Sequence, residues 1–275
     1  VARGPLTAPA TTKLALARQR RTIAFVLRLV AVTLRLGGEL VLDGLTVEAR
    51  AGEILLIEGN RGAGKTKLLE VAAARRQPDA GEVWIADHDV TALQRGSLPF
   101  VRRNIGYVEA EPRFLSRMTV VENVMMPLGA RGEPAAWARE AAVRALGKVG
   151  IVGLGAHDPA CLSNGARRLA AIARALAGVP PLVIVDEPSA SLSAVDAGAV
   201  LSAMCGAVEG GGAVVCASAD SAFVAAATAA GARRLRLDAG RLVPGVGTMV
   251  ALPGRRGPLA GGPDALLDPQ MELGS

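Results

Sequence analysis

The octet Gly59–Thr66, GNRGAGKT, constrains this chain more than any other segment, because it joins the apolar run Ile54–Ile57 to the helix-like run Lys67–Ala74. A glycine-rich turn between a strand and a helix lets backbone N–H groups wrap a phosphate chain at the helix N-terminus. Gly59, Gly62 and Gly64 give the backbone that freedom, and Asn60, Arg61 and Ala63 complete the loop. Lys65 is placed to reach the β- and γ-phosphates, and the Thr66 hydroxyl to ligate Mg2+. The bare pattern also fits a glycine-rich turn with a chance lysine. The strand and helix on either side argue against that.

A second segment points the same way. Pro181–Pro188, PLVIVDEP, is a buried-strand run that ends in two adjacent carboxylates. Buried carboxylates are costly unless they bind a metal or perform chemistry. Asp186 fits the residue that holds the Mg2+ shell from a neighbouring strand. Glu187, one residue further on, is placed to accept a proton from an attacking water.

At 275 residues the chain has room for one large α/β domain, or for one domain carrying a subdomain. Hydrophobic residues make up 51% and aromatics only 3%, so the core has to be built from Ala, Val and Leu. The net charge of +6 suits an anionic partner, but the Ala/Gly/Arg-heavy usage reads more simply as a compositional habit. Positive charge is concentrated in an acid-free stretch that includes Arg3, Lys13, Arg18, Arg20, Arg21, Arg28 and Arg35. No run of about eighteen uninterrupted apolar residues exists to span a bilayer. Three cysteines, Cys161, Cys205 and Cys216, lack paired metal spacing and read as reduced, buried thiols of a cytosolic protein.

Along the chain, residues 1–21 read as a flexible basic arm and 22–243 as the folded domain. Strand patterns fall at Ile23–Leu27, Val30–Leu36, Leu40–Ala49, Glu82–Ala86 and Ile105–Val108, with turns at Gly37–Gly38 and Gln77–Gly81. From about 111 to 178 the texture turns Ala-rich and helical, Glu133–Val149 being the clearest helix. Strands return at Leu182–Val185 and Ala213–Ala217 around a helical stretch at Ala190–Val208, and Arg233–Val243 reads as a terminal hairpin turning at Asp238–Gly240. Residues 244–275 are Gly/Pro-rich and read as disordered.

A third motif is Leu162–Leu176, LSNGARRLAAIARAL, just before the carboxylate strand. It resembles the LSGGQ signature and following helix of ATP-binding-cassette (ABC) ATPases, and the order of the three motifs resembles that family from about residue 22 to 243. The resemblance implies an α/β fold: a P-loop NTPase (RecA-like) core with an inserted α-helical subdomain and an N-terminal antiparallel β region. It also implies ATP and Mg2+ as ligands and a head-to-tail pairing with a second cassette, in a homo- or heterodimer. Ser163 and the backbone N–H of Gly165 would then meet the γ-phosphate across the interface. Met118–Leu128, MTVVENVMMPL, is similar to the segment after the glutamine loop in the lipoprotein-release, macrolide-export and cell-division group, although a helix start with a Thr cap accounts for the same letters. That group works with membrane permease subunits at the inner face of the cell membrane, so a cytoplasmic, peripheral location is implied.

The chain also departs from the family. Ala110 stands at the glutamine-loop position, Ala219 at the switch histidine, Ser193 at an aspartate of the loop after the carboxylates, and Asn164 at a signature glycine. No aromatic ring lies near Arg35–Leu36 to stack on adenine, a contact worth on the order of 1–3 kcal/mol. Asn tolerates left-handed backbone geometry, which makes Asn164 the mildest change. Lys67, where the family has a small hydroxyl residue, is placed either near the α-phosphate or as an ordinary solvated helix lysine. The sequence thus implies an ATP-binding transport subunit with impaired hydrolysis. The alternative is a regulatory cassette paired with a complete ATPase. A DNA-maintenance role ranks below both, since neither a heptad run nor a four-cysteine zinc spacing is present, and no nucleic-acid partner is expected.

Overall fold

The computed structural model describes residues 25–243. The arm expected over 1–21, the first residues of the strand pattern at Ile23 and the tail expected over 244–275 lie outside the described residues. From the amino end, β1 (Leu27–Leu36), β2 (Glu39–Ala49), β3 (Ile54–Glu58), α1 (Lys65–Ala72), β4 (Ala80–Ile85), β5 (His88–Asp89), α2 (Leu98–Arg102) and β6 (Ile105–Val108) come first. Three longer helices follow: α3 (Val120–Ala130), α4 (Ala135–Lys148) and α5 (Asn164–Leu176). The chain then runs through β7 (Leu182–Asp186), α6 (Ala194–Glu209), β8 (Ala213–Ser218), α7 (Ser221–Ala229), β9 (Arg233–Asp238) and β10 (Arg241–Leu242).

The strands form two sheets. An antiparallel sheet has the order β2-β1-β4-β5, and a six-stranded sheet has the order β10-β9-β3-β8-β7-β6. In the larger sheet β9, β3, β8, β7 and β6 run parallel, with Ile54 opposite Val214 and Ile105 opposite Leu182. Parallel strands covered on both faces read as continuous apolar runs. That is why ILLI and LVIV carry no alternation.

The two faces divide the core. Ile54, Leu56, Val183, Val185, Val214 and Cys216 pack with the helices α3 to α7. Leu55, Ile57, Leu182, Ile184, Val215 and Ala217 pack with α1 and the antiparallel sheet. The expected all-buried cysteines are corrected here: Cys216 is buried in β8, but Cys161 is exposed. The reason is local, since Cys161 ends the short 3-10 turn Pro159–Cys161, in which only Pro159 is buried.

Between β6 and β7 the helices α3, α4 and α5 build the segment that the Ala-rich texture marked. Thr119 caps α3 in a reciprocal box with Glu122: the Thr119 hydroxyl accepts from the Glu122 N–H at 3.3 Å, and the Thr119 N–H donates to Glu122 Oε2 at 2.7 Å. One turn on, Asn123 is fully buried and holds the preceding loop. Its Oδ1 accepts from the Leu115 N–H at 2.7 Å, and its Nδ2 donates to the carbonyls of Leu115, Met118 and Thr119 at 3.0–3.1 Å. Removing such a side chain takes the partner from the Leu115 N–H and from the Leu115 and Met118 carbonyls, so Asn123→Ala is expected to destabilise the fold by about 1–3 kcal/mol. Urea unfolding measures it, together with faster amide exchange over 115–119; a loss well under that range would show that water replaces the amide at no cost.

Candidate functional site

The phosphate loop is the connection between β3 and α1. Gly64 serves as the N-cap of α1 with φ 100, a left-handed conformation open to glycine and strained for other residues. α1 begins at Lys65, two residues before the helical pattern in the sequence, because Lys65 and Thr66 form its first turn. The turn of the terminal hairpin braces the loop, with the Gly240 N–H donating to the Ala63 carbonyl at 3.1 Å and the Asp43 N–H to the Gly240 carbonyl at 3.0 Å. Asn60, Arg61, Gly62 and Thr66 are exposed, whereas Lys65 is 6% exposed. The Lys65 ammonium donates to the carbonyls of Gly59 at 2.7 Å and Asn60 at 3.1 Å, so it lies inside the curl of its own loop.

Opposite the loop, β7 delivers the carboxylates. The Thr66 hydroxyl donates to Asp186 Oδ2 at 2.7 Å, across 120 residues of sequence. Asp186 is 1% exposed, and burial raises its pKa above the ordinary aspartate value; the Thr66 hydrogen bond, Lys65 and Arg168 act the other way. Glu187 follows with φ 50, a left-handed geometry that costs a non-glycine residue of order 1–3 kcal/mol. Four contacts hold it there. Its N–H donates to the Ala217 carbonyl at 2.9 Å, its Oε2 accepts from the Ser218 hydroxyl at 3.3 Å and the Ala219 N–H at 3.1 Å, and its Oε1 lies 3.6 Å from Lys65 Nζ.

Thr66 and Asp186 offer a hydroxyl and a carboxylate oxygen in close approach. That donor set fits Mg2+, which binds oxygen and keeps most of its shell as water and substrate phosphate. Among the described residues no group of three or more His, Cys, Asp or Glu is placed to cage a metal by protein ligands alone.

Ser163 and Gly165 stand apart from this cluster. Ser163 caps α5, its hydroxyl accepting from the Ala166 N–H at 3.2 Å, and a Cβ on Gly165 would come within 2.9 Å of the Ser191 carbonyl. Among the described residues no hydrogen bond or ion pair joins either of them to the phosphate loop. Asn164 is the first residue of α5 and is absent from the positive-φ positions, so the left-handed tolerance invoked for it has no role here. Lys67 pairs with Glu70 at 2.7 Å. Ser193 caps α6 by accepting from the Asp196 N–H at 3.2 Å. Serine is among the favoured N-cap residues, which accounts for the helix start there.

Two contributors escaped the sequence reading. Ser218 ends β8 and donates to Glu187, a role that only the neighbouring register of β7 and β8 reveals. Arg168 on α5 is 4% exposed, and its guanidinium donates to the carbonyls of Glu109 at 2.9 Å, Asp186 at 3.1 Å and Ala110. Burial pulls its pKa down, with the charges of Asp186 and Glu187 opposing the shift. No signal in the sequence singled it out, since Arg167 and Arg174 lie on the same helix.

The profile of the family described as "ABC transporter" matches residues 42–190, which hold the phosphate loop, the signature segment and the carboxylate strand. The chain is 39% identical over 204 residues to the lipoprotein-releasing system ATP-binding protein LolD of Chromohalobacter salexigens, covering 74% of this chain and 84% of that protein. It is 36% identical over 157 residues to the cell division ATP-binding protein FtsE of Escherichia coli, covering 57% of this chain and 71% of that one. Among solved structures, the dimeric post-hydrolysis state of the ATP-binding cassette MJ0796 bound to ADP and Pi superposes with a TM-score of 0.72 and 26% identity, over 78% of this chain and 96% of that one. Three motifs in family order, a shared fold and these matches have one explanation: the chain belongs to the ABC transporter family, as its ATP-binding cassette.

Proposed function

We propose that this cassette binds Mg-ATP in the Gly59–Thr66 loop at a head-to-tail interface with a second cassette, and so drives or gates a membrane permease while hydrolysing ATP slowly. The observation that carries the reading is the convergence of Lys65, Thr66, Asp186 and Glu187 at the carboxyl ends of β3 and β7, beside alanines at 110 and 219. Open α/β sheets bind ligands at those ends. In this reading 22–243 is the cassette and about 111–178 its helical subdomain.

Each residue has a part that follows from its position. Lys65 turns from the carbonyls of Gly59 and Asn60 to the β/γ-phosphates, while the amides from Asn60 to Thr66 and the α1 N-terminus meet phosphate oxygens. Lys67 reaches the α-phosphate only by leaving Glu70. Thr66 and Asp186 hold the metal, which neutralises phosphate charge when bound. Glu187, fixed by Ser218 and the Ala219 N–H, accepts the proton of the attacking water. The exposed Ser163 and the N–H of half-buried Gly165, at the start of α5 and apart from their own loop, serve the ATP of the partner cassette. The dimeric MJ0796 cassette is in line with that arrangement.

Membrane coupling in this proposal passes through separate permease subunits at the inner face of the membrane, as the similarity to the LolD and FtsE proteins suggests. No helix among the described residues is long and apolar enough to cross a membrane. Slow turnover follows from the side chains at 110 and 219, since removing one preorganised donor costs about 10²–10³ in rate and losses within one unit need not add.

Lys65→Ala is expected to abolish Mg-ATP binding in an equilibrium titration, and unchanged affinity would remove the binding reading. Glu187→Gln should eliminate whatever phosphate release the wild type shows while ATP binding persists. The pair Ala110→Gln and Ala219→His should raise steady-state phosphate release at saturating ATP by about tenfold or more, because each restores a polar contact to metal, water or phosphate. A wild type as fast as ordinary transport ATPases, or a double variant with no gain, would show that other residues carry those roles. Turnover that appears only after mixing with a second, complete cassette would move the assignment to a regulatory subunit.

A further inference from the structure

The parallel ladder between β6 and β7 ends at the pair Val108 and Val185. One residue further on, the carbonyls of Glu109 and Asp186 have passed the last paired position of that ladder. A single nitrogen of Arg168, Nη1, donates to both, at 2.9 and 3.1 Å, while Nη2 donates to the Ala110 carbonyl. The guanidinium therefore continues the seam between the two strands after their own register stops. A planar fork reaches three carbonyls from two separated nitrogens, a spread that the single nitrogen of an ammonium does not reproduce.

The same side chain connects two parts of the molecule. Arg168 belongs to α5, whose capping residue is Ser163, five positions earlier in the chain. Asp186, whose carbonyl it holds, gives its carboxylate to the Thr66 hydroxyl at the start of α1. A continuous path thus runs from the signature helix through one guanidinium to β7 and the phosphate loop. The 109–110 backbone lies on that path, and it needs no glutamine side chain for the connection, because what Arg168 grips is a main-chain carbonyl present whatever residue stands at 110.

We propose that Arg168 is a positioning residue for the ATP site, a buried clamp that fixes the spacing between the signature helix, the 109–110 segment and the Thr66–Asp186 pair without nucleotide. The role rests on the reading of Thr66 and Asp186 as metal-holding residues. It gives the chain a permanent link between α5 and the sheet at the place where the side chain of residue 110 offers none.

Arg168→Met keeps most of the stem and removes every donor; Arg168→Lys keeps the charge but offers one nitrogen where the guanidinium presents two to the three carbonyls. Amide hydrogen exchange of the full chain without nucleotide is the first readout. Arg168→Met should speed exchange by about tenfold over 109–111 and at the first turn of α5 while amides of β3 and α1 keep their protection, because only the local opening equilibrium changes. Arg168→Lys should fall between that variant and the wild type. In steady state, Arg168→Met should lower kcat by about tenfold with KM for ATP within about twofold, as expected when a group orients the reacting parts and leaves ground-state binding intact. Unchanged exchange over 109–111 in either variant overturns the clamp, and so does a loss of protection spread evenly over β3, β7 and β8. Absence of phosphate release in the wild type as well would count against the hydrolytic reading alone, since exchange in the nucleotide-free chain would still decide the role of Arg168.

Discussion

In the doubly covered strands β3, β7 and β8, polar side chains stand only where the strands end. β3, β7 and β8 are covered on both faces, by helices on one side and by α1 with the antiparallel sheet on the other. A charge within those strands would lose its hydration without a partner, at a cost of several kcal/mol. Asp186, Glu187 and Ser218 stand at or just past the last positions of β7 and β8, and the phosphate loop begins where β3 stops. The location of the site follows from this exclusion, and the fold around it serves to keep the strand ends together.

Charge is balanced at close quarters in the cluster. Two carboxylates, Asp186 and Glu187, face two cations, Lys65 and Arg168, and the four come from β7, the turn after it, α1 and α5. Desolvation alone disfavours the charged form of a buried acid, and here hydrogen bonds and nearby cations oppose it. Lys65 is held by carbonyls of its own loop, so contact with an incoming anion exchanges those hydrogen bonds for new ones. The strained backbone at Glu187 persists because four neighbours determine it, and such outliers cluster at functional positions.

Alanines 110 and 219 contribute to the cluster through the main chain. The Ala219 N–H holds Glu187, and the Ala110 carbonyl receives Arg168. Ser193 caps α6 as an aspartate would. These contributions survive because backbone groups are present in every residue, and because capping asks only for a small oxygen-bearing side chain. What alanine removes is reach: neither 110 nor 219 has a side chain that extends to a phosphate or a metal. The main-chain contacts around Glu187 and Arg168 are thus kept with alanine at both positions.

By itself the sequence determined the parts whose signal is local. Continuous apolar runs located β3, β7 and β8, and the strand pattern at Ile105–Val108 coincides with β6. The Ala-rich stretch located α4, and the glycine loop with its lysine and threonine marked the connection between β3 and α1. Helix α7 was not legible, because SAFVAAATA is apolar with little periodicity and its start depends on the Asp220 cap accepting from the Ala222 N–H. The short β5 and α2 carry too few residues to show a period. Only the tertiary structure decided that Thr66 meets Asp186, that Ser218 orients Glu187 and that Arg168 closes the seam between β6 and β7. Those contacts join residues between 18 and 120 positions apart and are set by strand order and register, which arise when the two faces of the sheet are buried together.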